Sequence, residues 1–576
     1  MLRAIHRARA QFWPLGRPSA RRSLKVLAAD PVDRACAKAF LDRGIKLVES
    51  PKSLTQAELV AAIPAYEGLV VRSGVKVTAE VFKAGKKLRV VGRAGAGTDN
   101  IDLVAASAAG VVAMNTPGGN TSAAAELTLS LILALARQLP AAVSSLKAGA
   151  WERGKFGAGM ELKGKTIGVV GLGMIGSEVA RRCLALDMHV IGFDPSVSAE
   201  RAAALGVAKV PLDDLLSRSD IISLHVPKTA DTTHLIRAAT LAKCKDGVRI
   251  VNVARGGIVH EGDLLAALNS GKVAGAALDV FETEPPGAAA AALLAHPRLL
   301  CTPHLGASTE EAQVKVAREI AEQMADAFAG TAFVGVVNAP HLALAGSAAL
   351  APYARLTEAL GSLAGQMWAA GAPRTASVNI DLAGPAFAAA PPAALAALVK
   401  AALLKGLLPA VAALDYDAAA VNLINAPALA AREQLAVAVR AAPAAAPAAA
   451  AYASTVAVTV RGAAGQPERA FVGAVVDGEP RIVGIDEWAT PSFPTCGSVL
   501  LFNNADSPGV VSRVTSVLAD NNINIATLSV VRQAKGEPAL SIIISDQRLP
   551  KDVELKVCAE AGITGVRTAT FATALG

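Results

Sequence analysis

From Leu24 to about Leu300, short apolar runs alternate with stretches whose apolar residues recur every three or four positions. "LKVLAADPV" opens the series, and "EGLVVRSG", "LRVVGRAGAG" and "GVVAMNTPG" each carry an apolar run into a polar or Gly-rich turn. Segments between them, such as "TAEVFKAGKK", have helical spacing. Strand, helix, strand in that order predicts parallel sheets with crossover helices. A long helix is predicted over 121–138, capped by Asn120 or Thr121, and a second βαβ series over 166–300. Past Thr331 the pattern changes. Ala-rich helical stretches are broken by "PAFAAAPPAAL" and by "AAPAAAPAAAAYA", which reads as a low-complexity loop. "TVAVTVRG", "ERAFVGAVVDG" and "EPRIVGID" then alternate as antiparallel strands do. From Gly497 the order is strand (499–502), helix (509–520), strand (525–532), strand (539–545), helix, strand: the βαββαβ order of a ferredoxin-like unit.

Length and composition narrow this picture. A chain of 576 residues suggests three or four domains. No segment reads as a membrane span; the best candidate, 123–136, is short and carries Glu126. The six cysteines are scattered, with no C-x-x-C pair, which argues against a zinc site or a disulfide framework and leaves no expected metal. The net charge of +8 is uneven. Residues 1–23 hold six Arg and no acid, and without them 50 bases face 48 acids, so nucleic acid is not an expected partner. Leu2, Ile5, Ala8 and Phe12 recur at helical spacing with Arg3, His6 and Arg7 between them. An acid-free, Arg-rich amphipathic start reads as an organelle transit peptide, with the mitochondrion favoured and the plastid or cytoplasm as alternatives.

Candidate chemistry sits where predicted strands end. Gly171-x-Gly173-x-x-Gly176 follows a strand at 166–170 and opens a helix at Met174; a second strand ends in Asp194. Glycines at this spacing let a backbone approach a pyrophosphate at a helix N-terminus, and an acid after the second strand accepts from ribose hydroxyls and repels a 2′-phosphate. NAD is therefore the expected cofactor, held by Gly171, Gly173, Met174, Ile175, Gly176 and Asp194. "VRIVNVARGGIVHEGDL" places Arg255 past a strand, where a guanidinium suits a carboxylate; a surface ion pair is the plainer alternative. "AGAALDVFETEPP" repeats the scheme with Asp279 and Glu284, and "CTPHLGAST" sets His304 before small residues. Taken alone, a His such as His304 is usually structural, and an acid such as Glu284 is more often a solvated loop residue.

In this order the Gly-rich unit, "NVARGGIV", "ALDVFETEPP" and "PHLGAST" resemble the D-isomer-specific 2-hydroxyacid dehydrogenases, over roughly 24–576. Within that family the resemblance is to the long members that oxidise 3-phospho-D-glycerate to 3-phosphohydroxypyruvate with NAD, the entry to serine synthesis. It implies that His304 is the acid–base of hydride transfer, that Glu284 orients it, and that Arg255 holds the substrate. It places the remaining cofactor contacts on Val226, Val253, Ala254, Asp279, His304, Gly306 and Ala307. The substrate contacts fall on Arg72, Ser73, Arg93, Gly95 and Arg255, with Arg153 as a phosphate contact lent between subunits of a homo-dimer or tetramer. Met174 departs from the family, where Arg is frequent, and so does Ala96, where some relatives have Thr.

The tail resembles the family's intervening allosteric domain and, over 497–576, an ACT domain, the amino-acid-sensing module. The resemblance implies serine as effector, at Asp506 and Asn524. Because Asp506 and Ser507 replace a usual Asn and Arg, inhibition by serine is expected to be weak or absent. The expected fold is α/β: two Rossmann-like domains, the NAD domain inserted into a discontinuous substrate domain, then an α+β allosteric domain and a ferredoxin-like ACT domain. The expected boundaries are 1–23 transit peptide, 24–118 and 301–335 substrate domain, 119–300 NAD domain, 336–490 intervening domain and 497–576 ACT domain. Catalysis is expected in the cleft between the first two. Rival readings are a glyoxylate or hydroxypyruvate reductase, against which the long tail argues, and an NAD-sensing protein without turnover.

Overall fold

A computed structural model describes residues 24–156, 159–367, 377–411, 414–441, 451–461 and 468–571. The expected transit peptide, and most of the low-complexity stretch, lie outside these residues. The chain falls into two compact units: one of residues 116–319 with 33–35, the other of the remainder. The division falls inside the long helix Glu310–Ala329, so 301–319 belong to the unit of the second sheet, whereas the sequence places the turn-over at 300.

The first sheet is parallel. Its strands β1 (Lys25–Ala28), β2 (Lys46–Glu49), β3 (Gly68–Val71), β4 (Val90–Arg93) and β5 (Val112–Asn115) lie in the order β2-β1-β3-β4-β5. β3 and β5 are buried throughout, as strands covered on both faces must be. Glycines at 68 and 92 leave room for Phe328 and Met324 from the C-terminal half of the long helix. The segment after that helix returns along β5: the Asn115 N–H donates to Gly335 O, the Val337 N–H to Ala113 O, and the Ala113 N–H to Asn338 Oδ1.

The second sheet has seven parallel strands: β6 (Thr166–Val170), β7 (His189–Phe193), β8 (Ala208–Lys209), β9 (Ile221–Leu224), β10 (Val248–Asn252), β11 (Val273–Leu278) and β12 (Leu299–Cys301). Their order, β12-β11-β10-β9-β6-β7-β8, reverses direction between β6 and β9, the switch point at which open α/β sheets take ligands. The helix expected over 121–138 ends at Ala136. Gln138 adopts a left-handed conformation and Pro140, lacking an N–H, starts a separate helix, Leu139–Lys147, bent away by 64°.

The third sheet joins β13 (Ser377–Ala383), β14 (Ala436–Ala441), β15 (Thr455–Arg461), β16 (Arg469–Val476), β17 (Glu479–Ile485) and β18 (Trp488–Pro494) in the order β14-β13-β15-β16-β17-β18. Only β13 and β14 pair in parallel among its described strands. The helices Ala351–Met367 and Pro392–Ala410 pack together beside it. Pro392–Ala410 corrects the membrane reading above: it is long and apolar enough to cross a bilayer, whereas Thr121–Ala136 reaches that length only together with the bent helix Leu139–Lys147. Its apolar residues are those of a core helix, with Leu398, Leu403, Leu404, Leu407 and Leu408 buried.

The last sheet is β19 (Ser498–Asn504), β20 (Ile525–Arg532), β21 (Ala539–Ser545) and β22 (Ile563–Thr570), ordered β20-β21-β19-β22 and antiparallel. Helices Val510–Asp520 and Lys551–Cys558 share one core with it, built on Leu500, Phe502, Val514, Leu518 and Ile543. This is the ferredoxin-like order that the alternation predicts.

Candidate active site

At the carboxyl end of β6 the three glycines have three separate reasons. Gly171 is left-handed (φ +94°), and a Cβ there would lie 2.5 Å from His225 O and 2.9 Å from Val226 Cγ1. Gly176 lies in the first turn of the helix Met174–Leu184, where a Cβ would come within 1.9 Å of Gly171 O. Gly173, the N-cap, has nothing within 4 Å of a Cβ position. The first two allow helix and strand to touch; the third leaves bare backbone facing open space at a helix N-terminus. Met174 is exposed and Ile175 packs on the core behind. Asp194 sits one residue past β7; its carboxylate accepts from Leu172 N–H at 2.8 Å and from Ser196 N–H at 2.8 Å, so it is fixed beside the turn. His225, just past β9, meets the hydroxyl of buried Ser223 at 2.8 Å through Nε2; burial pushes its imidazole down to about 4. The bare helix N-terminus and an acid for ribose hydroxyls fit NAD.

The second cluster follows β10, β11 and β12. His304, in a left-handed conformation (φ +56°), directs Nδ1 to Glu284 Oε2 at 2.6 Å. Its Nε2 makes no hydrogen bond to any described residue. Glu284 also accepts from the Phe281 N–H at 3.1 Å. Burial pushes this carboxyl up, but the hydrogen bond and charge of His304, the Phe281 amide and the Arg255 guanidinium together hold it below the ordinary carboxylate range. An ionised acceptor requires the proton on Nδ1, which leaves the Nε2 lone pair free to take one. Arg255 is half-buried and donates through Nη1 to Ala254 O at 2.7 Å.

Asp279 is fully buried and lies under this loop. It accepts from Thr302 Oγ1 (2.6 Å), Leu305 N–H (2.7 Å) and Gly306 N–H (2.9 Å), while His304 N–H donates to its carbonyl at 2.9 Å. Its carboxylate is thus occupied in shaping the His304 loop. Val253 is buried, 3.3 Å from a Cβ position on Gly306, and Ala307 O accepts from Gln313 Nε2 at 2.6 Å.

The expected substrate residues lie at the carboxyl ends of neighbouring strands of the first sheet. The Arg72 N–H donates to Asp30 Oδ2 at 2.6 Å, and its Nη1 to Pro31 O at 3.3 Å; Ser73 is exposed beside it. Arg93 bends over its own turn, donating through Nη1 to Gly97 O at 2.5 Å, with Gly95 beneath the guanidinium. Arg153 opens a short 3-10 turn (Arg153–Phe156) and is exposed. The two expected effector residues are committed to other partners. Asp506 accepts from Arg532 Nη1 (2.7 Å) and Gly536 N–H (2.8 Å), and Asn524 donates to Asp546.

Sequence reasoning missed Asp30, Asn115 and Asn252. Asn115 and Asn252 end their strands, Asp30 lies two residues past β1, and each is at least nine-tenths buried. Asn252 accepts from Ala254 N–H (3.0 Å) and donates to Arg255 O (2.9 Å); Asn115 donates to Ala96 O at 2.5 Å. The signal was there to be used: a polar side chain closing a buried apolar run must find partners, and the turns next to it supply them.

A bare dinucleotide cradle and a carboxylate-held imidazole with a free nitrogen define a nucleotide-dependent dehydrogenase of hydroxy acids. Family models agree: residues 129–306 match the NAD binding domain of the D-isomer specific 2-hydroxyacid dehydrogenases, 349–486 the D-3-phosphoglycerate dehydrogenase intervening domain, and 498–562 the ACT domain. The chain is 42% identical over 523 residues, 89% of its length and 93% of the relative's, to a Homo sapiens protein named D-3-phosphoglycerate dehydrogenase. A protein of that name from Synechocystis is 38% identical over 94% of both chains. Among solved structures, the TT0316 protein of Thermus thermophilus superposes with a TM-score of 0.50 at 31% identity, over 55% of this chain and 100% of that one. The chain belongs to the D-3-phosphoglycerate dehydrogenase family.

Proposed function

We propose that the chain oxidises 3-phospho-D-glycerate to 3-phosphohydroxypyruvate, the first step of serine synthesis by the phosphorylated route. The observation that carries this reading is the His304–Glu284 pair at 2.6 Å, in a chain 42% identical to relatives of that name. NAD, when bound, supplies the acceptor for the hydride leaving C2. His304 Nε2 takes the hydroxyl proton while Glu284 holds Nδ1–H and stabilises the imidazolium that forms. Arg255 receives the substrate carboxylate and polarises the C2 oxygen. Arg72, Ser73, Arg93 and the turn at Gly95 meet the substrate's anionic groups, since a dianion buried without cations would be costly. NADH formation from 3-phosphoglycerate at alkaline pH, against glycerate and 2-hydroxyglutarate, tests this; turnover of glycerate in preference would overturn it.

The same reading makes the chain a homo-oligomer. The helix Leu139–Lys147 has no buried residue, and Leu139, Val143, Leu146 and Trp151 expose an apolar face that a second copy would cover, bringing Arg153 with it. Residues 1–23 serve as a transit peptide, with the mitochondrion as favoured address; a reporter fused to residues 1–30 that stays diffuse in the cytosol would refute this. Serine does not act strongly through the ACT domain, because Asp506 and Asn524 are engaged within it.

A further inference from the structure

Three loops that follow adjacent strands β9, β10 and β11 are fastened to one another outside the reacting groups. The loop after β10 carries Arg255, and the loop after β11 carries Glu284. At the N-terminus of the helix Glu261–Ser270, Glu282 Oε1 accepts from the Glu261 N–H at 3.1 Å, and Glu261 Oε1 accepts from the Glu282 N–H at 2.6 Å. Each acid thus satisfies the other's backbone donor. Gly256, next to Arg255, has its Cβ position 1.7 Å from Phe281 O, so the two loops already meet backbone to backbone. The loop after β9 closes the group. The His234 N–H donates to Gly257 O at 2.8 Å, and its Nε2 lies 3.4 Å from Glu282 Oε1. Its ring meets that of His260 edge-on at 4.7 Å, and His260 in turn accepts from the Asp263 N–H at 3.2 Å. Lys228 lies against Gly257 on the same side.

We propose that Glu261 and Glu282 are positioning residues: a reciprocal clamp that sets the spacing of Arg255 and Glu284, and through Glu284 the orientation of His304. The inference rests on the acid–base roles given above. Glu284 is only two residues from Glu282, so a shift of one carries the other. When the clamp opens, the Glu284 loop is held by Asp279 and the Phe281 contact. The distance from Glu284 to His304 then broadens, while the turn at 171–176, built on β6, is untouched. The clamp therefore acts on turnover rather than on NADH affinity.

The test is a double-mutant cycle in the full chain with Glu282→Ala, Glu261→Ala and both together, and with Glu282→Gln as the conservative variant. Each alanine variant should lose about ten- to a hundredfold in kcat, as small displacements of catalytic groups do. NADH Kd should stay within about twofold, a range too small to reflect a lost cofactor hydrogen bond. The acid limb of the pH–rate profile should shift. The double variant should lose clearly less than the product of the two single losses, because both bonds fasten the same pair of loops and loosening one already weakens the other. Glu282→Gln, which keeps an acceptor oxygen, should recover most of the loss. Losses that multiply, or an unmoved kcat and pH profile, would overturn the clamp. A readout without substrate separates this outcome from failure of the activity reading. The downfield proton resonance of His304 Nδ1–H should broaden in Glu282→Ala and return in Glu282→Gln; if it stays sharp in Glu282→Ala the clamp is wrong, whatever the substrate proves to be.

Discussion

Two carboxylates in this protein are held below their ordinary range and do opposite things with their partners. Glu284 resists the upward push of burial through His304, the Phe281 amide and Arg255. Asp506, at the surface of the last domain, is held down by the Gly536 N–H and the Arg532 guanidinium. The partner of Glu284 is an imidazole with a second nitrogen facing outward. The partners of Asp506 are a peptide N–H and a guanidinium, which do not release protons near neutrality. The first pair can pass a proton on; the second can only hold a loop. That a carboxyl is held low is therefore a poor guide to function, and what the partner can still do is a better one.

Experiments can break this contrast, beginning with the largest effect. Replacing His304 by Ala should lower kcat by about two to four orders of magnitude, with NADH binding intact by fluorescence titration, because the imidazole serves the hydroxyl and not the adenine half. Glu284→Gln should cost about a hundredfold in kcat, since a neutral amide cannot stabilise the imidazolium and has one acceptor oxygen for the two donors, His304 Nδ1–H and the Phe281 N–H. It should also alter acid stability. The lowered pKa makes the folded state prefer the carboxylate, so its contribution is complete above the unfolded carboxyl value of about 4.3 and is lost as pH falls through the folded one. The melting temperatures of wild type and Glu284→Gln should thus converge below about pH 4.

Asp194→Gly should weaken NADH about ten- to a hundredfold and narrow its preference over NADPH, the loss expected of a charged hydrogen bond to ribose. A wild type already indifferent between the two cofactors would contradict the role given to Asp194. The smallest effect belongs to the tail. Asp506→Asn should leave kcat within about twofold and slightly lower the melting temperature of the last domain above about pH 4, since a surface ion pair contributes little. Calorimetry with millimolar serine should show no binding heat. Tight binding lost in Asn524→Ala would mean that the Asn524–Asp546 contact opens for a ligand.

Much of the site was legible because its signals are local. Gly171, Gly173 and Gly176 lie within six residues, between a strand and a helix that are themselves periodic, and Asp194 follows the next strand. Asn115, Asn252 and Asp30 were not legible as functional. Asn115 reaches a carbonyl 19 residues away and Asp30 an amide 42 away, and nothing in the intervening sequence marks the pairing. The end of the first long helix was legible to within two residues, at 138 against Ala136, but the separate helix Leu139–Lys147 was not read, although Pro140 was a local signal for its start.

By itself, the sequence determined the parallel sheets, the antiparallel strands of the third sheet and the ferredoxin-like unit. Hydrophobic period is a property of neighbours along the chain, and burial of the apolar face leaves few ways to pair such strands. It also determined which residue types end each strand. Only the tertiary structure decided which of those ends are in use. Asp279 and Glu284 stand five residues apart in one loop and look alike as acids, yet one is enclosed beneath the loop and the other meets the imidazole. That difference comes from chain brought in more than twenty residues after Asp279, whose amides surround that carboxylate and whose His304 turns in a left-handed conformation toward Glu284. A carboxylate's role depends on the donors that reach it, and those donors arrive only when the strands are in place.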